Sequence, residues 1–270
     1  MLDITYGEAT DPGKVRTNNE DSYISFVPKS RQIARSHGWM FALSDGVGGM
    51  DRGEVASRIA VETIAKGFEE AQDNTSLAAL MPRLAQHANA EIHNETLAPG
   101  KRGGKMAATL VCCAFRNDQG VVAHVGDSRC YLVRDGKAEA LTKDHTWVNE
   151  QRKLGLITAA EAEESDARHI LTRSLGPELF VTADSSTLRI QPGDTFVLCC
   201  DGLHNALPES KIAEMVSGGN GTQAEMQEIA RRLVAYAVQE DGSDNTTVIV
   251  IRIRDVERVA MYRGQVYRLR

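Results

Sequence analysis

The polar and apolar positions fall first into strand-like alternation. Ile4 to Thr10 ("ITYGEAT"), Asp21 to Val27 ("DSYISFV") and Trp39 to Asp45 ("WMFALSD") carry the β-branched and aromatic residues that favour a pleated, half-buried surface. Two helical stretches follow. In the first, from Glu54 to Glu70, Val55, Ile59, Thr63 and Ile64 form an apolar stripe at helical spacing; the second runs from Leu77 to Leu97. Strand patterns return at "MAATLVCCAF", "GVVAHVGD" and "RCYLVRDGKAEAL", the last with an Asp-Gly hairpin signal between Arg134 and Lys137. His145 to Arg168 is polar and helix-prone. Two more strands, "FVTADSSTLRI" and "TFVLCCD", meet at a turn over Pro192 to Asp194. Helices are then predicted from Pro208 to Ser217 and from Gln223 to Val238, and "NTTVIVIRI" closes the core.

Paired strands precede and follow paired helices, without steady strand-helix-strand alternation. That order predicts antiparallel sheets with helices packed outside, an α+β fold. No Gly/Ser-rich or Pro-rich linker divides the chain, so residues 1–254 read as one domain and 255–270 as a C-terminal tail. In the tail, Arg258, Arg263, Arg268 and Arg270 outnumber Asp255 and Glu257, which reads as a last strand with a solvated end.

Composition narrows the function. The 270 residues are 42% hydrophobic and 25% charged, ample for a real core, and the net charge of -6 argues against a nucleic-acid partner. The N-terminus has no basic segment followed by an apolar one, and no run of eighteen apolar residues occurs, so a cytoplasmic protein without membrane contact is expected. Cys112, Cys113, Cys130, Cys199 and Cys200 show no C-x-x-C spacing, so a zinc site is not expected; they read as small buried hydrophobes in a reducing compartment.

The chemistry sits where strands end. Asp45-Gly46 ends "FALS", Asp127 ends "VVAHVG", Asp201-Gly202 ends "FVLCC", and Asp244 precedes the last core strand. "RTNNED" sets Arg16, Glu20 and Asp21 just before another. A strand delivers its terminal residue to the rim of a sheet, and a glycine beside it lets backbone approach closely. Carboxylates there are hard oxygen donors that suit Mg²⁺ or Mn²⁺ rather than Zn²⁺. If these rims converge, the acids repel one another unless cations intervene. Two divalent ions would do so and would activate a water for in-line attack on phosphorus, with Arg16 gripping the phosphate oxygens.

Seven segments in order, "VRTNNEDS", "ALSDGVGGM", "AHVGDSR", "LTKDHT", "LTRSLG", "VLCCDGL" and "DNTTVIVI", resemble the metal-dependent serine/threonine protein phosphatases of the 2C type, especially the bacterial ones. The resemblance spans roughly Ile4 to Ile253 and implies a four-layer α-β-β-α sandwich, two packed antiparallel sheets flanked by helices. It implies that Asp45 bridges two metals (Mn²⁺ or Mg²⁺), that the Gly46 carbonyl binds one, and that Asp201 and Asp244 hold the other. It further implies that Glu20 and Asp21 act through water on the metals, that Arg16 grips the substrate phosphate, and that Asp127 with Asp201 forms a loosely bound third site. Trp147 to Arg168 corresponds to the variable flap beside the site. The expected substrates are phosphorylated proteins, the expected counterpart a cognate serine/threonine kinase, and the expected state a monomer. Two positions depart from the pattern: Val47 stands where animal members often carry a histidine proposed as general acid, and "AAT", Ala107 to Thr109, replaces the usual "GTT".

Other readings are weaker. "GKRGGKM", Gly100 to Met106, lacks the spacing and the Ser or Thr of a phosphate-binding loop. His124 in an apolar strand reads as a core histidine, and Asp144 as structural or at the edge of the metal site. A non-catalytic sensor should have lost a metal carboxylate, yet Asp45, Asp201 and Asp244 are present. Hydrolysis of a small phosphate ester would need the same metal chemistry, and no adenine-binding signature is visible.

Overall fold

The structure, a computed structural model, describes residues 1–47, 52–97, 106–262 and 265–268. Gly48 to Asp51, Gly100 to Lys105 of the glycine-lysine segment, and Arg263 and Arg270 of the tail lie outside the described residues.

The chain opens with β1 (Asp3–Asp11) and β2 (Ser22–Phe26), a short helix α1 (Arg31–Ser36) and β3 (Trp39–Ser44). Helices α2 (Gly53–Glu69) and α3 (Leu77–Leu97) follow, then β4 (Leu110–Arg116), β5 (Gln119–Val125), β6 (Arg129–Arg134) and β7 (Lys137–Ala140). Two short helices, α4 (Trp147–Lys153) and α5 (Ala159–Glu164), precede β8 (Asp184–Arg189) and β9 (Thr195–Cys199). The chain ends with α6 (Asp201–His204), α7 (Glu209–Val216), α8 (Gln223–Glu240), β10 (Thr246–Asp255) and a hairpin of β11 (Val259–Tyr262) and β12 (Gln265–Arg268).

The strands form two five-stranded sheets in the orders β1-β10-β9-β6-β7 and β2-β3-β4-β5-β8, with every pairing antiparallel. Strand alternation divides the apolar residues between faces. Phe41, Val111, Phe115, Phe196, Leu198 and Ile251 point between the sheets and are fully buried. Their neighbours Met40, Ala42, Cys112 and Ala114 turn outward beneath α2 and α3. On the other sheet Val197, Cys199, Val248 and Val250 turn outward beneath α7 and α8. Each sheet therefore buries both faces, which is why its central strands read as continuous apolar runs. The four-layer α-β-β-α sandwich is the α+β architecture expected above.

Aromatic contacts tie the layers at the centre. Phe115 on β4 meets Phe196 on β9 with ring centroids 4.7 Å apart, and Phe41 on β3 lies 6.3 Å from Phe115. The β6–β7 turn follows the Asp-Gly signal: Asp135 and Gly136 have φ of 51° and 74°, and Arg134 pairs with Lys137. Beyond the core strand β10, the tail forms the β11–β12 hairpin.

Truncating the central aromatic tests this packing. Phe196→Ala removes a ring from a site that neighbouring strands cannot collapse into, and a loss of about 3–5 kcal/mol is expected. Urea denaturation followed by circular dichroism measures it; a loss below about 1 kcal/mol would show the inter-sheet core to be looser than described.

Candidate metal centre

The acids picked out by the sequence come from five separated regions, and the sandwich brings them to one end. Asp45 follows β3, Asp127 lies between β5 and β6, Asp201 begins α6 directly after β9, and Asp244 stands just before β10. Arg16, Glu20, Asp45, Gly46, Asp127, Asp201 and Asp244 line a single cavity of about 490 Å³. Asp21 lies beside it, one of its carboxylate oxygens within 4.8 Å of one on Asp45.

Local backbone contacts position each group. The Asp45 N–H donates to Thr109 Oγ1 (3.0 Å), and the Asp45 carbonyl accepts from the Thr109 N–H (2.8 Å). Gly46 N–H donates to the Glu20 carbonyl at 3.1 Å. A Cβ on Gly46 would stand 2.5 Å from the Gly53 carbonyl carbon, so glycine is what lets α2 start against this turn. A Cβ on Gly202 would lie 2.1 Å from the Asn245 carbonyl oxygen, so α6 can pack against the start of β10 only through a glycine.

Sequence reasoning passed over the residue that joins these pieces. Asn245 is buried. Its Oδ1 accepts from the Glu20 N–H at 2.7 Å, and its Nδ2 donates to the carbonyls of Pro12 (3.0 Å) and Asn18 (2.9 Å). One amide thus fixes the loop carrying Arg16, Glu20 and Asp21 against the segment carrying Asp244. Thr247 likewise donates to Asp21 Oδ2 at 2.6 Å. The flap side adds Arg168 and His169, which also line the cavity; His169 Nδ1 lies 3.9 Å from Asp201 Oδ2.

The electrostatics follow from burial and crowding. Burial raises Asp45 well above the usual carboxylate range, and the charges of Asp21, Asp201, Asp127 and Asp244 raise it further. Asp21 is pushed up to about 7, mainly by burial, with the Thr247 hydroxyl offsetting part of the rise. Asp127 is pushed up to about 8 by burial and then by Asp201 and Asp144. Asp201 rises through burial and the charge of Asp244. Asp244 forms an ion pair with Arg16 (Nη2 to Oδ2, 2.7 Å) at the half-exposed rim.

These residues fit divalent cations. The donors are oxygens, gathered where their mutual repulsion opposes ionisation, and Asp21 Oδ1 is buried without a hydrogen-bond partner. A second cluster, His124, His145 and Asp184, also lies within 4.8 Å but fits a metal poorly. Its two imidazoles stack at 4.6 Å and 20°, so their in-plane lone pairs do not converge. The Gly126 N–H donates to His145 Nδ1 at 3.1 Å, His124 hydrogen-bonds to the Lys143 backbone, and Arg173 pairs with Asp184 at 2.7 Å. Asp144 holds Arg129 bidentately at 2.9 and 2.6 Å, a structural role outside the main cavity lining. Ala107 and Ala108 are buried, Ala108 bridging Gly46 and Leu175, so small residues pack at this point.

Comparison with known proteins gives a consistent match. Residues 18–240 match the family model described as protein phosphatase 2C. The chain is 32% identical over 248 residues to the protein phosphatase PhpP of Streptococcus pneumoniae, covering 91% of this chain and 96% of that one. The crystal structure of the Mycobacterium tuberculosis serine/threonine phosphatase PstP superposes with a TM-score of 0.80 at 30% identity, covering 94% of this chain and all of that one. A structure of the PstP catalytic domain in complex with two manganese ions superposes at 0.77 with 32% identity, covering 94% and 100% of the two chains.

The raised carboxylates predict how metal-free stability depends on pH. A carboxyl whose folded pKa exceeds its unfolded value of 3.8 holds its proton more tightly in the native state, so its contribution is full below that value. It is lost as pH rises towards the folded values of about 7 and 8. With EDTA present, the melting temperature should therefore fall between about pH 5 and about pH 8. Manganese should oppose that fall, because the ion binds the ionised form. Differential scanning fluorimetry across that range tests both arms; a metal-free melting temperature that rises throughout would contradict the crowding of these acids.

Proposed function

This chain belongs to the protein phosphatase 2C family and is a protein serine/threonine phosphatase, and we propose that it hydrolyses phosphoserine and phosphothreonine with two divalent cations, Mn²⁺ or Mg²⁺. The observation that carries this reading is the convergence of Asp45, Asp201, Asp244, Asp127, Glu20 and Arg16 on one cavity. Asp45, Asp21, Asp201, Asp244 and the Gly46 carbonyl would hold the cations, with Glu20 beside them and Asp127 with Asp201 offering a weaker third site. When bound, the ions supply activation of a water for in-line attack at phosphorus and neutralisation of phosphate charge.

The chain's own residues supply position and charge. Arg16 stands at the cavity rim, held towards it by Asp244, with its guanidinium able to take two phosphate oxygens at once. Asn245 fixes the loop that carries Arg16 against the segment that carries Asp244. Val47 lines the cavity without a proton to give, so position 47 does not protonate the leaving oxygen. Residues 147–168, including α4 and α5, form the flap and bring Arg168 to the cavity, where a protein substrate would pass. Among the described residues no helix is long and apolar enough to cross a membrane. A cognate serine/threonine kinase would supply the phosphoproteins, and the catalytic unit would span residues 1–254 with 255–270 as its appendage.

Turnover of a phosphothreonine peptide should require manganese and cease with EDTA; full activity after complete chelation would refute the metal mechanism. Asp201→Asn should abolish turnover while raising the melting temperature of the metal-free protein, because it removes one of the mutually repelling acids. Arg16→Ala should lower kcat/KM for phosphopeptide roughly 10- to 100-fold, chiefly through KM, the value of a charged hydrogen-bond pair. An unchanged KM would remove Arg16 from phosphate binding.

A further inference from the structure

The adjacent cysteines Cys199, the last residue of β9, and Cys200, just past it, face different surroundings. Alternation sends Cys199 outward into the core beneath α7 and α8. Cys200 turns the other way, between the sheets, and reaches the acids. Its Sγ accepts from the Thr247 N–H at 3.1 Å and lies 3.4 Å from the Asn245 carbonyl, to which the thiol donates. That sulfur, one carboxylate oxygen of Asp21 and one of Asp45 all lie within 4.8 Å of one another. The three donors come from the end of β9, the loop before β2 and the end of β3. Asp21 also carries a carboxylate oxygen, Oδ1, that is buried without a hydrogen-bond partner.

An all-oxygen site favours hard cations, whereas a sulfur donor adds affinity for thiophilic ones. We propose that Cys200 is a metal ligand, and that Cys200 Sγ with Asp21 and Asp45 captures Zn²⁺ or Cd²⁺ at the floor of the centre. The thiol proton leaves to solvent as the sulfur–metal bond forms, so ion binding releases protons. The Thr247 N–H holds the sulfur in place and partly offsets burial and the nearby acids, which favour the protonated thiol until an ion binds. An ion held this way occupies Asp45, so zinc competes with the manganese or magnesium of the proposed reaction. The inference rests on the reading that Asp21 and Asp45 face cations, and it adds a soft donor to that set.

Zinc K-edge X-ray absorption tests it on the full chain, freed of metal and given one equivalent of Zn²⁺. The expected spectrum has one sulfur at about 2.3 Å, with oxygens at about 2.0–2.2 Å. Cys200→Ser should lose the sulfur shell and Cys199→Ser should keep it. A wild-type spectrum containing only oxygen or nitrogen scatterers, or a sulfur shell that persists in Cys200→Ser, would overturn the proposal. The wild-type spectrum decides even if the Cys200 variant fails to fold. Manganese binding, followed by electron paramagnetic resonance in the wild type and in Asp45→Asn, separates the two readings. Manganese that binds and is lost in Asp45→Asn, together with sulfur-free zinc, sinks the Cys200 ligand alone. Absence of manganese binding to the wild type sinks both.

Discussion

Negative charge held in a confined space is the constraint on which the rest of this molecule depends. Asp21, Asp45, Asp127, Asp201 and Asp244 converge at one end of the sandwich, and each of the buried ones is driven towards its neutral form by burial and by its neighbours. A fold left to maximise its own stability would not gather them. The surrounding structure must therefore hold them against their repulsion, and it does so with backbone rather than with side-chain flexibility. Asp45 is gripped by both its N–H and its carbonyl, and Asp201 begins a helix closed down on the Asn245 carbonyl through Gly202.

That rigidity comes from the two-sheet core. Phe41, Phe115 and Phe196 lock β3, β4 and β9 across the sandwich, and two of those strands, β3 and β9, lead directly into Asp45 and Asp201. Burial of apolar area, the dominant favourable contribution to folding, offsets the unfavourable charge cluster a short distance along the same strands. The remaining acid-bearing loop has no strand to fix it until Ser22. Asn245 substitutes for that missing support, using both ends of its amide to bind Glu20, Pro12 and Asn18.

The strand ends were legible because an apolar run that stops at Asp-Gly signals both a sheet rim and a close approach. The helices α2, α3, α7 and α8 were legible because each keeps a periodic stripe over two turns or more. Helices α1 and α6, of six and four residues, are too short for periodicity to emerge. The β11–β12 hairpin left no clear signal because its segment mixes charge with scattered apolar residues. At the site, the carboxylates announced themselves by charge, but Asn245, Thr109 and Thr247 act through hydrogen bonds made by uncharged groups. Such residues occur throughout any chain, and only their spatial partners distinguish them. Cys200 was read as a small hydrophobe, which describes Cys199; strand alternation alone separates the two, and it does not show what lies across the gap.

The flap shows a different balance. Leu154 and Leu156 are exposed to 69% and 66%, between two short helices that contribute little to the core. Yet the base of the flap is tied down: the Trp147 N–H donates to the Ile170 carbonyl, the Thr172 N–H to the His145 carbonyl, and the Gly126 N–H to His145 Nδ1. Burial lowers His145 to about 4, so the ring stays neutral at neutral pH and its Nδ1 lone pair remains available to that N–H. Gly126 immediately precedes Asp127. The flap is therefore anchored through an uncharged histidine beside an acid that lines the cavity, while its outer turns stay free of the core. Rigid attachment and loose periphery have separate physical origins here, hydrogen-bonded backbone for one and scarcity of apolar burial for the other. The outer turns can then change sequence without disturbing the acids beneath.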